Sequence, residues 1–417
     1  MPPVAQQASR RGNGGSGKGL GAMPQNKSHH FVPQFLLRFF SVDGSSIGLY
    51  NLPSGKIVPG ASLKHQACRD WFYGRDGRAE QALGHLEGGA STVLRRILEA
   101  GRPPKRYSDD HRVLATFLLI QSARTAQAAA EANEMANKIG KWMLRKTLTD
   151  PELVACLDDV TFQLTEPAAE ALRPALMETP VILDLKMKLL HNVSSVPFVL
   201  GDHPAVKHNG LYSGAEMSVL GLANVGLQFI LPISPDYAVV FYDEKAYSLG
   251  WPVSSVVKVK SAGIVLALNE FQWANAVENI YFRPGGDPAI WSPAPDRIAE
   301  LRKDEHVSAV EEEVKMEGNK RRIMIKVQTQ RPSRTLRMPL FRNRIAPPPF
   351  VNMPPLPLRD QAWAFHVHRL MNALNAGAIS PEEFHLRTMP PRFVERILKE
   401  RARASPAKTA CPVSCES

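Results

Sequence analysis

The chain is poor in cysteine. Four occur in 417 residues: Cys68, Cys156, Cys411 and Cys415. They form no Cys-x-x-Cys pair and no zinc-type spacing, which excludes a thiolate metal ribbon and a disulfide-built scaffold and leads to the expectation of a reducing, cytoplasmic setting. Long apolar runs are also missing. No stretch of about 18 uninterrupted apolar residues exists, so no transmembrane helix is expected, and no apolar segment follows the N-terminal basic residues as a secretory signal would require. A phosphate-cradling loop is missing too. Gly12-Asn13-Gly14-Gly15-Ser16-Gly17-Lys18-Gly19 has some of its letters, but no strand precedes it. Acidic residues, finally, are absent between Asn319 and Ile345, where nine basic residues fall.

What is present divides the chain. Residues 1–26 are rich in Gly, Gln, Ser and Pro and bury too little apolar surface to offset the entropy of ordering, so a disordered tail is expected. The polarity then switches at Lys27-Ser28-His29-His30, followed by the apolar Phe31, Val32, Phe35, Leu36, Leu37, Phe39 and Phe40. Two readings of the histidine pair stand: imidazoles that hydrogen-bond where a core begins, or a catalytic or metal-binding pair held at its edge.

Ile47–Val58 reads as a hairpin turning at Leu52-Pro53-Ser54-Gly55. Gly77–Ala100 has helical periodicity and ends at Gly101. A second helix, capped by Ser108 with Asp109 and Asp110 in its first turn, is expected to run to about Leu148 with a break near Gly140. Residues 150–180 read as helix interrupted by Pro167 and Pro174. Strands follow at Leu185–Leu190, Pro197–Leu200, Leu227–Pro232 and Tyr237–Tyr242, then a helix over Leu266–Asn279. The expected fold is α+β: a helical layer packed on a small, mostly antiparallel sheet. The core spans 27–283. A basic, Pro-rich linker occupies 284–362, a helical hairpin 363–403, and a disordered tail 404–417. In the hairpin, Ser380 and Glu383 form a capping box, and Leu370–Phe384 resembles the short helical oligomerisation modules of bacterial C-termini, which implies self-association.

Several of these pieces resemble the domain of unknown function 4238 family. His29-His30-Phe31-Val32-Pro33-Gln34-Phe35-Leu36-Leu37-Arg38-Phe39-Phe40 looks like its opening motif, and Gln121, Arg124 and Thr125 like a helical one. Gly201-Asp202-His203-Pro204-Ala205-Val206 looks like its strand-end motif, usually Ser-Asp-Asn-Pro-Val. Leu231–Pro235 and Leu268-Asn269 follow in order. The chain departs from the pattern at Gly201 and His203. The resemblance implies a domain boundary and a residue short-list, and it names no reaction.

The short-list has a chemistry of its own. Gln121 and Arg124 share a helix face with Leu114, Phe117 and Leu118. A guanidinium on an apolar stripe needs a partner. Glu87 sits between Leu83 and Leu94 on the preceding helix, and Asp202 ends a buried strand. Convergence of His29, His30, Glu87 and Asp202 would hold a divalent ion (Mg, Mn or Zn), with Arg124 meeting a phosphate, Gln121 beside it as a further catalytic candidate, and Asn269 orienting ligand or water. That describes a metal-dependent phosphodiesterase or nuclease. Two rivals remain. The cluster is a structural polar network, or it binds a nucleotide without cleaving it. The net charge of +11 and the basic run, with Lys320, Arg321, Arg322, Arg331, Arg334 and Arg337 as its contacts, point to a nucleic acid or another polyanion. The run lacks the interleaved aromatics that base stacking needs.

Overall fold

A computed structural model describes residues 27–212, 219–285, 287–301, 306–315, 321–330, 336–346 and 356–389. The expected tails, 1–26 and 404–417, lie outside these residues, as do Lys320, Arg331 and Arg334.

The chain enters through a short strand, β1 (Ser28–His30), and one helical turn and a half, α1 (Gln34–Arg38). The expected hairpin follows as β2 (Ser46–Asn51) and β3 (Lys56–Ser62). Next comes β4 (Cys68–Asp70), antiparallel to β1 with His29 opposite Arg69 and His30 opposite Cys68. Ala67 and Trp71, on either side of β4, adopt φ of 48° and 53°, a left-handed conformation that is costly for any residue with a Cβ.

Helix α2 (Arg78–Ala100) stops where Gly101 turns left-handed. Helix α3 (Asp109–Ala123) begins on its Ser108 cap, as expected, but ends at Arg124 rather than near Leu148. Thr125 then caps a separate helix, α4 (Ala126–Thr147), by accepting a hydrogen bond from Ala128 N–H. Gly140 does not break α4. It sits against Phe162, whose ring atoms a Cβ would meet at 2.8 Å. Helices α5 (Pro151–Cys156) and α6 (Pro167–Ile182) follow. Pro167 opens α6, where its missing N–H costs nothing, and Pro174 lies within the helix without ending it.

The second half supplies β5 (Lys186–Asn192), β6 (Leu200–Gly201), β7 (Val206–His208), β8 (Gln228–Ser234), β9 (Tyr237–Tyr242), β10 (Tyr247–Leu249), β11 (Val256–Val259), α7 (Ala262–Asn275) and β12 (Asn279–Phe282). Five strands pair in the order β11-β5-β9-β8-β7. All neighbours are antiparallel except β11 and β5. A four-stranded antiparallel sheet runs β3-β2-β12-β6.

Strands β8 and β9 are buried almost throughout because the five-stranded sheet is covered on both faces. Phe229, Leu231, Val239 and Phe241 face a core shared with α2, α3 and α6. Their alternates Ile230, Ala238, Val240 and Tyr242 face a second core with α7 and β12. The molecule is therefore α+β, with helices, sheet and a mixed third layer stacked in turn.

The stretch read as a linker carries defined elements: α8 (Pro288–Trp291), α9 (Pro295–Leu301), the antiparallel pair β13 (His306–Lys315) and β14 (Arg321–Gln330), and β15 (Phe341–Asn343), which pairs with β10. Glu311, Glu312 and Glu313 stand opposite Ile325, Met324 and Ile323 in that ribbon. The acidic run thus pairs with the part of the basic run that lies on β14. The C-terminal unit is α10 (Gln361–Asn375) and α11 (Pro381–Arg387), with Ser380 accepting from Glu383 N–H. Among the described residues no helix is long and apolar enough to cross a membrane.

Candidate functional site

Helices α1 and α2 form the walls of a cleft of about 320 Å³, lined by His30, Gln34, Phe35, Arg38, Glu80, Gly84, Glu87, Gly88 and Ser91. The α2 contribution recurs at i, i+4, i+7, i+8 and i+11, a single helical face about 100° wide. It is an odd face for a helix interior. Gly84 and Gly88 each cost about 1 kcal/mol relative to alanine, yet a Cβ at either would meet nothing within 4 Å. No packing contact therefore requires them, and they leave space in the cleft.

Behind this face lies a buried polar knot centred on Arg124, which is 1% exposed. Ending α3 at Arg124 aims its guanidinium back toward α2 and β1. Its Nη1 donates to Glu87 Oε1 at 2.6 Å, its Nε to the Tyr73 hydroxyl at 3.2 Å, and its Nη2 to the His30 carbonyl. Burial opposes the guanidinium's charge, but Tyr73 and Glu87 outweigh it and hold the group firmly protonated. Burial pushes the Tyr73 phenol up to about 12, so its O–H stays available and donates to the Arg124 carbonyl at 3.1 Å.

The two histidines divide the readings offered for them. His29 is buried, stacks on the Tyr73 ring, and accepts from Tyr73 N–H through Nδ1 at 3.1 Å. It does not line the cleft. His30 does. Its Nδ1 faces the Gln66 carbonyl at 3.0 Å and must carry the proton. Nε2 then presents a lone pair, which accepts from Gln34 Nε2 at 2.8 Å. Gln34 in turn accepts from Arg38 at 2.9 Å. Burial lowers the His30 pKa below 6.5, while the nearby Glu87 pulls the other way. Glu80 moves up from the usual carboxylate range because it is desolvated and lies near Glu87, against the pull of His29 and Arg124. Among the described residues its Oε2 is buried without a hydrogen-bond donor and the Ser91 hydroxyl is buried without a partner.

The proposed four-residue metal set does not assemble. Asp202 spends its carboxylate on the amides of Val277, Glu278 and Asn279 at 2.7, 2.7 and 3.0 Å, fixing the turn into β12. Burial raises its pKa and the three amides oppose that. Among the described residues no group of three His, Cys, Asp or Glu is placed to hold a metal ion. The catalytic roles expected of the amides and of Arg124 are corrected likewise. Gln121 donates to the Phe31 carbonyl. Asn269 bridges strand and helix by accepting from Val199 N–H and donating to the Pro197 carbonyl. Arg124 is too deep to meet a phosphate. Gly201 packs so close to α7 that a Cβ would lie 3.1 Å from the Gln272 carbonyl, and His203 Nδ1 meets the Thr125 hydroxyl at 3.1 Å. Of the basic contacts, Arg321 and Arg322 lie on β14 opposite Lys315 and Val314, and Arg337 is exposed.

Structure thus brings His30, Glu87 and Arg124 together and sends Asp202 and Asn269 to other tasks. It adds Gln34, Arg38, Tyr73, Glu80 and Ser91. The overlooked signal was the pair of glycines inside an otherwise periodic helix, spaced so that they share a face with both glutamates.

A family model described as protein of unknown function (DUF4238) matches residues 28–286, well over half of the chain. No curated protein and no solved structure matches it.

Proposed function

The chain belongs to the DUF4238 family, and on that footing we propose that it is a hydrolase of small substrates, with His30 as the general base in the cleft between α1 and α2. One observation carries the reading: the His30 imidazole is held with Nδ1–H on a backbone carbonyl and its Nε2 lone pair on a cleft-lining amide. Burial keeps this imidazole neutral near pH 7, the form a base needs. When substrate displaces the Gln34 amide, Nε2 takes a proton from the attacking water. The imidazolium then passes that proton to the leaving group. Glu87, which pairs with Arg124 at 2.6 Å and lies near the ring, offsets the transient positive charge on it.

Phosphodiesters are poorer substrates in this reading, because two carboxylates line the cleft and Arg124 is withdrawn from it. A divalent ion is the second reading, favoured by the carbonyl-oriented imidazole of His30 beside Glu87, since metal-bound histidines are oriented in that way. The donors present do not complete a ligand set, so no step is routed through an ion. We also propose that the exposed Arg337, Arg342 and Arg344 carry attraction for a polyanion.

The test is turnover by the full chain of a panel of small esters and amides, with and without chelator. His30→Ala should lower kcat by about 100-fold or more with the melting temperature near wild type. Because protonation of His30 disables the base and its pKa is lowered, activity should fall on acidification only below pH 6.5 and stay flat above it. Chelator-resistant turnover supports the metal-free route. Activity unchanged in His30→Ala refutes the assignment.

A further inference from the structure

The two most exposed large apolar side chains among the described residues sit in one loop. Trp251 is 80% exposed and Val253 96%, with the exposed Pro252 between them. They lie between β10 and β11, where Gly250, at φ of 55°, turns the chain outward. Single exposed apolar residues are ordinary, but this tip is built. Lys188 on β5 is 1% exposed, and its ammonium donates to the Leu249 and Trp251 carbonyls, each at 2.6 Å. Lys186, on the same strand, donates to the Pro252 carbonyl at 3.3 Å. Ser254 N–H adds a second bond to the Trp251 carbonyl at 3.2 Å, and Pro252 has no N–H to satisfy. With these carbonyls drawn back toward the sheet, the loop presents apolar side chains and little bare backbone. That is the condition for entering a medium that offers no hydrogen bonds.

Cations stand beside the tip. Arg342, exposed on β15, lies opposite Ser248, and three residues of chain, at most about 10 Å, separate Ser248 from Trp251. Arg344, also exposed, alternates to the same face as Arg342, and its N–H holds the Ala246 carbonyl. The carboxylate at the foot of the loop, Glu244, is shared by Lys186 and Arg106. We propose that this loop is a peripheral membrane anchor: Trp251, Pro252 and Val253 enter the headgroup region of an anionic bilayer, and Arg342 and Arg344 meet its charged headgroups. The protein then rests on the surface without spanning it. A lipid surface suits the tip better than a protein partner. Three residues make a wedge, whereas a stable protein interface takes about 800 Å² from each side. A fluid interface closes around a wedge, and tryptophan favours that depth because its ring is apolar and its N–H polar. Anchoring of this kind is independent of the chemistry at His30, and it gives the two arginines a lipid surface as their polyanion.

Flotation of the full chain with vesicles tests this, using phosphatidylcholine alone and phosphatidylcholine with phosphatidylserine in about a three-to-one ratio. The chain should float with the anionic vesicles and far less with the neutral ones. Trp251→Ala should weaken partitioning by about tenfold or more and leave the melting temperature unchanged, because so little of the ring is packed. Val253→Asp should do the same. Arg342→Gln and Arg344→Gln should each weaken it about fivefold, a difference that high salt erases. Acyl-brominated lipid should quench part of the tryptophan fluorescence of the full chain, and that part should be missing in Trp251→Ala. Failure to float, or equal flotation of Trp251→Ala, overturns the proposal. Flotation without quenching does so too, because charge alone would then hold the chain to the vesicle. If Trp251→Ala instead lowers the particle mass in light scattering while the vesicles stay bare, the tip joins two copies of the chain and the anchor is refuted.

Discussion

His111 shows what a single buried residue contributes when it has no partner. Its ring is fully buried against Phe241 and Tyr107, and neither nitrogen has a hydrogen-bond partner among the described residues. Burial, helped by the nearby Arg106, lowers its pKa from 6.5 to about 4. The unfolded chain therefore binds a proton that the folded chain refuses between those values, so stability is full above pH 6.5 and declines as the pH falls to 4. The shift corresponds to about 3 kcal/mol. In His111→Phe that part of the decline should vanish, and urea unfolding across the pH range would show the two curves separating by about that amount in acid. Parallel curves would mean that His111 is hydrated. Asp202 gives the complementary lesson about legibility. An aspartate ending a buried strand reads alike in sequence whether it lines a cleft or fixes a turn. The deciding amides lie 75 and more residues downstream, and no local pattern reports them.

Elements were legible where their own ends announced them. Ser108 and Gly101 delimit helices by capping chemistry, and the Ile47–Val58 hairpin follows from its turn. The break at Arg124 was hidden because α3 and α4 together keep a helical composition. What ends α3 is partly local and partly tertiary: the Thr125 side chain caps the next helix, and the guanidinium is drawn into the knot with Glu87 and Tyr73. The C-terminal helices show a different limit. Their apolar spacing suggests a partner, and in the structure the partner of α10 is α6. Trp363 donates to the Pro180 carbonyl at 3.1 Å, and Val367 and Leu370 are buried. Just before α10, Arg359 clamps Asp184 through two nitrogens at 2.9 Å. A chain ending at Asp360 should keep the clamp and lose the docked helix. Calorimetry should then show a melting temperature several degrees lower, and an unchanged value would mean that α10 only rests on α6. Light scattering on the same chain reads the self-association expected from the motif.

At the scale of the molecule, charge rather than packing sets what the protein meets from a distance. The surplus of +11 is formally large, but much of it is locally answered. Arg106 and Lys186 share Glu244, Arg297 bridges Glu270 and Glu300, and Arg359 holds Asp184. Answered charges add little to a long-range field once salt screens them. Arg337, Arg342 and Arg344 differ. All three are exposed, they lie within eight residues of one another, and β15 fixes Arg342 opposite Ser248 on β10. Attraction to a polyanion should therefore depend on these three more than on the same number of arginines elsewhere. Changing them together to glutamine leaves the backbone pairing of β15 and β10 intact, which deletion of the basic run would not. For double-stranded DNA as the probe, each lost phosphate contact lowers the slope of log affinity against log salt by about 0.9, so the triple variant should lose a slope of up to about 3. The same substitutions at Arg69, Arg96 and Arg145, each already paired with a carboxylate, should leave the slope nearly unchanged. If both triplets flatten it equally, net charge alone governs the attraction and β15 presents no distinct surface.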